Sequence, residues 1–195
     1  RAAGSPCCNP RLDLECQNAL AILGANAENN FRLEKLESLF PSLDTLTIIG
    51  GEGAELEEQF ALSLPATLTD LTFEYALRAT SSQVLFPSGL TRLSFKKFAS
   101  SLAIDEHFTL PSQLRTLHLL EHNGRWTAVL KVLPRFLERF WVSLDCAELK
   151  AGDIALLPVD LVELTACVDL SDVKAIEALP STLKRLELLE APDTP

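Results

Sequence analysis

The sequence is poor in several features, and each shortage excludes a class of protein. No stretch approaches the roughly 18 uninterrupted apolar residues of a membrane-spanning helix, because charged residues and prolines interrupt every apolar run. Basic residues are few, since 17 lysines and arginines stand against 27 acidic residues and give a formal net charge of −10. Such a charge repels phosphate backbones and anionic lipid, which disfavours nucleic acid and a bare membrane surface as partners. We expect a soluble chain that binds a protein or peptide, and a basic patch on that partner would suit it.

Methionine is absent, and no Asn-x-Ser/Thr sequon occurs in the 195 residues. Because the chain begins at Arg1 and shows no signal peptide, we expect a processed or trimmed product. The missing sequon weakly disfavours a glycosylated ectodomain. Localisation stays open between a secreted or host-delivered protein and a cytoplasmic one. What is present, 47% hydrophobic and 23% charged residues, is typical of a folded domain.

A proline-containing phrase, Leu-Pro-x-x-Leu-x-x-Leu-x-Leu, returns along almost the whole chain. One copy begins at Leu110 and Pro111 and continues with Leu114, Leu117 and Leu119. Successive copies are separated by 25, 22, 24, 23, 24 and 22 residues. These steps fall within the range of roughly 20 to 29 residues that is typical of leucine-rich repeats. The first leucines of the seven copies are Leu43, Leu68, Leu90, Leu114, Leu137, Leu161 and Leu183.

The last two apolar positions of each phrase are two residues apart, so in a strand both point to the core. Residues 126–133 and 171–179 have apolar residues at helical spacing, which predicts short helices or 3₁₀ turns between strands. Because one such unit cannot bury its apolar face alone, we expect an α/β fold, a curved right-handed leucine-rich-repeat solenoid. Its parallel sheet would line the concave side and its helices and loops the convex side. The expected strands lie near residues 43–48, 68–73, 90–95, 114–119, 137–142, 161–166 and 183–188.

A doubly wound βαβ fold also alternates strands with helices, but its units need roughly 30 or more residues and carry no fixed proline-leucine phrase. The phrase instead resembles the proline-containing leucine-rich repeats of bacterial type III effectors. It is also similar to the FNIP repeats of amoebae and large viruses, of which residues 86–119 carry two copies. The resemblance covers residues 31–195 and implies protein recognition, without a cofactor.

The repeats depart from many leucine-rich repeats eight residues after the first leucine. Asn or Cys usually stands there and forms a hydrogen-bonded ladder with neighbouring backbone. Without that ladder, we expect the loops after the strands to be less regular. The residues at this position are Gly51, Ala76, Phe98, His122, Asp145, Asp169 and Ala191.

Residues 1–30 are expected to form an N-terminal cap that precedes the repeats at 31–195. An amphipathic helix over residues 13–29 would cover the core of the first repeat. In many extracellular relatives, cap cysteines pair with each other, so the resemblance suggests a disulfide between Cys16 and either Cys7 or Cys8. The other interpretation is three thiols in a reducing compartment.

The positions that alternate with the core on the concave sheet form the candidate binding surface. Trp141 and Arg139 belong to the residue types most often found at interface hot spots. The alternative interpretation is that Trp141 covers a neighbouring strand while the charges only solvate the sheet. The candidate partner-binding residues are Asp70, Glu74, Arg92, Lys96, His118, Leu120, Arg139 and Trp141.

No residue is assigned a catalytic or metal-binding role. His118 and His122 lie on a strand and its following loop, where a spacing of four does not bring two imidazoles together, and Cys146 lies in a later repeat. Two strand spacings of about 4.8 Å separate the rows of His118 and Cys167, too far for a nucleophile pair. We therefore expect a binding module on the concave face and not an enzyme. Two alternatives are the recognition arm of a larger enzyme, such as an effector ubiquitin ligase, and a cell-surface or structural protein.

Overall fold

The structure, a computed structural model, describes residues 19–25, 36–50, 64–74, 86–96, 109–120, 126–143, 148–168 and 171–189. In these residues eight strands form one parallel sheet whose spatial order is the order of the sequence. Each turn of the chain thus adds one strand beside the previous one, which is the topology of a solenoid. The strands are β1 (Ala19–Ala25), β2 (Thr45–Gly50), β3 (Asp70–Phe73), β4 (Arg92–Phe95), β5 (Thr116–Leu120), β6 (Arg139–Ser143), β7 (Glu163–Ala166) and β8 (Arg185–Leu188).

Short helices connect some of these strands. The segments predicted to be helical, 126–133 and 171–179, contain α2 and α4. The side chain of Asp172 accepts a hydrogen bond of 3.0 Å from the Lys174 N–H and so caps the start of α4. The helices in the described residues are α1 (Leu36–Leu39), α2 (Trp126–Lys131), α3 (Ala151–Ile154) and α4 (Val173–Glu177).

Strands β2 to β8 begin two residues later than the phrase predicts, because the first leucine closes a turn. The Leu114 N–H donates to the Pro111 carbonyl at 3.0 Å, and the Leu68 N–H donates to the Pro65 carbonyl at 3.1 Å. The proline therefore opens a four-residue turn at a position where its missing N–H is not needed. Strand β5 consequently starts at Thr116 and not near residue 114.

The apolar positions of successive strands stack into a continuous core. The rings of Phe73 and Phe95 are paired in register and stacked, with centroids 5.1 Å apart and planes 8° apart. Burying a side chain of this size stabilises the fold by about 1.5–3 kcal/mol. In β8, the last described strand, Leu186 and Leu188 are each 40% exposed.

Threonine hydroxyls connect neighbouring repeats near the start of the strands. The Thr67 hydroxyl donates to the Leu43 carbonyl at 2.6 Å. The Thr182 hydroxyl lies 2.7 Å from the Val159 carbonyl and 2.8 Å from that of Leu161. These hydrogen bonds provide donors for backbone carbonyls of the preceding repeat, as an asparagine ladder does for neighbouring backbone in other repeats. The positions of the missing asparagine ladder themselves lie outside the described residues.

The expected N-terminal helix is wrong for residues 19–25, which form strand β1. In β1, Leu20 and Ile22 pair with Leu46 and Ile48 of β2, the same two-residue spacing that the core positions have in later strands. This pairing provides partners for the backbone edge of β2, which would otherwise be open. A helix in this place would leave that edge unpaired.

The described residues form a parallel β-solenoid in which each turn of the chain adds one strand, as the phrase predicts. None of the helices in this part of the chain is long and apolar enough to cross a membrane. The predictions for Cys7, Cys8 and Cys16 concern positions outside the described residues, as do those for His122 and Cys146.

Candidate functional site

One face of the sheet carries the core, and the opposite face, which we call the open face, carries the alternating side chains. The strand register aligns these side chains into rows that cross the strands, and all eight residues predicted to bind a partner lie in them. The first row is Thr45, Asp70, Arg92, Thr116, Arg139, Glu163 and Arg185. The second row is Thr47, Thr72, Ser94, His118, Trp141, Thr165 and Glu187. A third row contains Glu74, Lys96, Leu120 and Ser143.

His118 of β5 and Trp141 of β6 form the centre of the second row. Their rings are stacked, with centroids 4.0 Å apart and planes 10° apart. A contact of this kind contributes about 0.5–1.5 kcal/mol beyond the burial of area. Both side chains stay partly exposed on the open face, and we call their stack the aromatic platform.

The imidazole of His118 is neutral at physiological pH. Its Nε2 atom is buried and has no hydrogen-bond partner among the described residues. Burial, with the positive charge of Arg92 as the second cause, lowers the pKa of His118 to about 4. The aromatic platform therefore carries no charge of its own near pH 7.

The charged residues of the first row form ion pairs between neighbouring strands. Arg92 Nε lies 3.5 Å from Asp70 Oδ2, and Arg139 Nε lies 3.6 Å from Glu163 Oε2. The two arginine side chains are 50% and 45% exposed. Because exposed pairs contribute only about 0–1 kcal/mol, these contacts orient the guanidinium groups more than they stabilise the fold.

The third row contains a similar pair, in which Lys96 Nζ donates to Glu74 Oε1. The acidic side chains of Asp70 and Glu74, in β3 and directly after it, thus pair with the basic side chains of Arg92 and Lys96, in β4 and directly after it. At the far end of the sheet, Arg185 Nη2 lies 3.5 Å from Glu187 Oε2 on the same strand. The open face therefore has paired charges on both sides of the aromatic platform.

Asp70 lies in a less favourable electrostatic environment than a surface carboxylate. Burial raises the pKa of Asp70, the positive charge of Arg92 partly offsets that effect, and the neighbouring carboxylate of Asp44 raises the pKa further. The Asp44 side chain itself accepts a hydrogen bond of 3.0 Å from the Thr45 hydroxyl.

Two open-face residues that sequence reasoning did not single out are buried. Thr116 and Ser94 are each only 6% exposed. Thr116 lies between Arg92 and Arg139 in the first row, and Ser94 lies beside His118 in the second. Alternation along the strands predicts both residues on the open face, but their short side chains give no signal of burial.

Cys167 does not lie exposed on the open face, as alternation along β7 predicts, but is buried and 5% exposed. Burial raises the pKa of this thiol, and the carboxylate of Glu148 raises it further. The thiol is therefore held in its protonated, unreactive form. In the described part of the chain, no group of three or more His, Cys, Asp or Glu is placed to hold a metal ion.

A second aromatic feature, also missed by sequence reasoning, lies in the turn before β6. Phe136 is 49% exposed, and the guanidinium carbons of Arg115 and Arg135 lie 5.5 Å and 5.9 Å from its ring centroid. Arg115 also lies 3.4 Å from Glu138 Oε1. This feature is at the edge of the sheet where the strands begin, away from the open-face rows.

No family model matches the chain, and no match is found among curated proteins. Among solved structures, the chain is similar to CroV588, described as a novel circular LRR protein, with a TM-score of 0.49 and 22% sequence identity. The match covers 79% of this chain and 25% of that one, so the chain spans about a quarter of the length of that protein.

Proposed function

We propose that this chain is a protein-binding module that takes a protein or peptide segment on the open face of its sheet. The observation that carries the proposal is the stack of His118 on Trp141 at the centre of that face. The proline-containing phrase, similar to that of effector and FNIP repeats, supports the same role. We expect the open face to be the concave side of the solenoid, where one partner contacts several strands at once.

The aromatic platform has the properties of an interface anchor. Tryptophan is among the residues enriched at hot spots, where one well-packed side chain contributes much of the binding energy. Stacking on His118 restricts the rotation of Trp141 before any partner binds, so less conformational entropy is lost on association. Because His118 is neutral, an apolar group of a partner meets no buried charge at this point.

The charged pairs on both sides of the platform supply a polar rim. Rim charges contribute to specificity and association rate more than to affinity. Arg92 and Arg139 each lie in the row next to the platform, close enough to contact the same bound segment. The open face thus has an apolar centre and a charged surround, the usual anatomy of an interface.

A binding role fits this site better than a catalytic one. An imidazole with a pKa of about 4 is a weak general base near pH 7, and its Nε2 atom is buried. The thiol of Cys167 is buried and lies after β7, two strands away from β5. We therefore propose that the chain is not itself an enzyme.

The proposal is tested by selecting random linear peptides on the immobilised chain and measuring the affinity of the selected peptides in solution. Trp141→Ala should weaken their binding at least about tenfold, because a central aromatic anchor is lost. Phe136→Ala is the matched control, since it removes an exposed aromatic ring outside the open face and should change affinity less than about twofold.

Circular dichroism and thermal unfolding of both variants show whether each remains folded. Selected peptides that bind the folded Trp141→Ala variant as tightly as the original chain would contradict the proposal. Failure to select any peptide that depends on Trp141 would count against it in the same way.

A further inference from the structure

We infer that Arg92 and Arg139 form a two-guanidinium notch over Thr116, and that this notch takes an acidic side chain of the bound protein segment. The inference rests on the proposed binding function and adds the chemistry of the partner. The notch lies in the first row, directly beside the aromatic platform of His118 and Trp141.

The notch is shaped by one short side chain between two long ones. Arg92, Thr116 and Arg139 occupy neighbouring strands, so the two arginine backbones are two strand spacings, about 9.6 Å, apart. Thr116 is only 6% exposed although it lies on the open face. A carboxylate with its two oxygens is an acceptor that suits flanking guanidinium groups.

Both arginines retain donors for such a carboxylate. Each contacts its acidic neighbour through Nε, at 3.5 Å for Asp70 and 3.6 Å for Glu163, which is longer than a strong hydrogen bond. A guanidinium group has five N–H donors. Among the described residues, no other carboxylate pairs with the terminal nitrogens of Arg92 or Arg139.

The order of charges along the row makes the notch locally positive. Asp70 and Glu163 lie on the outer sides of the arginines, on β3 and β7. An anion above Thr116 is therefore about one strand spacing, 4.8 Å, from the strand of each arginine but about two spacings from the strand of each acidic residue. The influence of Arg92 on the pKa of His118 shows that its charge reaches the second row as well.

The notch reverses the expectation drawn from the net charge. A formal charge of −10 favours a basic patch on the partner, but the centre of the open face offers two guanidinium groups beside an aromatic platform. The segment that fits this arrangement carries Asp or Glu next to an apolar or aromatic residue. The acidic side chain would lie between the two arginines. The apolar or aromatic side chain next to it would pack against Trp141.

The test uses the peptides selected on the original chain, with their sequences read before any variant is made. Asp or Glu should be enriched next to an aromatic or large apolar position. In solution, replacing that acid by its amide should weaken binding about tenfold or more, and so should the double change Arg92→Gln and Arg139→Gln. Arg185→Gln is the matched control, because Arg185 lies in the same row outside the notch, and it should change affinity less than about twofold.

The outcomes separate this inference from the proposed function. Peptides that need Trp141 but show no acidic preference, and that bind the Arg92→Gln, Arg139→Gln variant normally, would overturn the notch and leave the binding function standing. Peptides unaffected by Trp141→Ala would contradict both. A synthetic peptide whose only acid is its terminal carboxylate should bind about as weakly as the amide version. If it binds as tightly as the acidic peptide, an acidic side chain is not what the notch selects and the inference is overturned.

Discussion

His118 and Trp141 lie on neighbouring strands with their ring planes 10° apart and their centroids separated by 4.0 Å. The parallel register of β5 and β6 fixes this relationship, because it pairs the two residues directly across the strands. The stack combines an uncharged imidazole with an indole and gives the open face a rigid apolar centre.

We predict that His118 makes the fold less stable as the pH falls from about 6.5 towards 4. Above pH 6.5 the imidazole is neutral in both the folded and the unfolded chain, so it contributes no pH dependence. Between the unfolded pKa of 6.5 and the folded pKa of about 4, only the unfolded chain binds the proton. The free energy of unfolding therefore decreases as the pH decreases through this range, by at most about 1.4 kcal/mol per pH unit.

Urea unfolding of the original chain and of His118→Gln, measured from about pH 7 to pH 5, checks this prediction. The pH range stays above the titration of most carboxylates. The variant should lose part of the slope of stability against pH. Identical slopes for the two proteins, or a midpoint near 6.5 for His118 in an NMR titration, would show that the imidazole is not held neutral.

The same substitution should lower the free energy of unfolding by different amounts at two paired core positions, because the two side chains differ in burial. Leu164 of β7 is 0% exposed, whereas Leu186 of β8, its register partner, is 40% exposed. Leu164→Ala should lower the free energy of unfolding by about 2–5 kcal/mol, because it leaves a cavity between two neighbouring repeats. Leu186→Ala should cost less than half as much, and equal losses in chemical denaturation would contradict the described end of the core.

The threonine hydroxyl at the turn before β3 should have a measurable structural role. Thr67→Val keeps the shape of the side chain but removes the donor to the Leu43 carbonyl. We expect a loss of about 1 kcal/mol in the free energy of unfolding, the usual net value of one hydrogen bond. Thr67→Ser retains the hydroxyl and should recover most of that loss; a serine variant no better than valine would argue against the bond.

The ion pair between Lys96 and Glu74 should contribute little to stability. The two side chains are 51% and 27% exposed, so solvent screens their attraction. A double-mutant cycle with Lys96→Gln and Glu74→Gln should give a coupling energy of no more than about 1 kcal/mol, decreasing with added salt. A coupling well above that value would mean that the pairs stabilise the sheet and do more than orient its charges.

The sequence predicts the repeating strands well because their period of two is a local pattern. The first leucine of each phrase, however, belongs to a turn closed by a backbone hydrogen bond, as at Pro111 and Leu114. That bond cannot be read from the spacing of apolar residues. The segment Ala19–Ala25 is compatible with both a helix and a strand. Pairing with the distant β2 decides in favour of the strand, and a short window of sequence does not contain that information.

In the candidate site too, the sequence predicts which residues share a face, but not how their side chains pack. Alternation placed His118 and Trp141 on one face, and the structure adds that their rings stack. Alternation also placed Cys167 on that face, but its side chain is buried, with the carboxylate of Glu148 near its thiol. A single threonine such as Thr116 gives no signal of a site, and its proposed role depends on Arg92 and Arg139, which lie on either side of it.

The most direct test of the open face as the binding surface uses the two tryptophans of the chain. Trp141 lies on the open face, whereas Trp126 begins helix α2 between β5 and β6. With the indole nitrogens labelled with ¹⁵N and assigned through Trp126→Phe, a selected peptide is titrated and both N–H signals are followed by NMR. We expect a saturable shift of the Trp141 signal that is larger than any shift of the Trp126 signal. A Trp141 signal that stays in place while the peptide binds would contradict the open face as the binding surface.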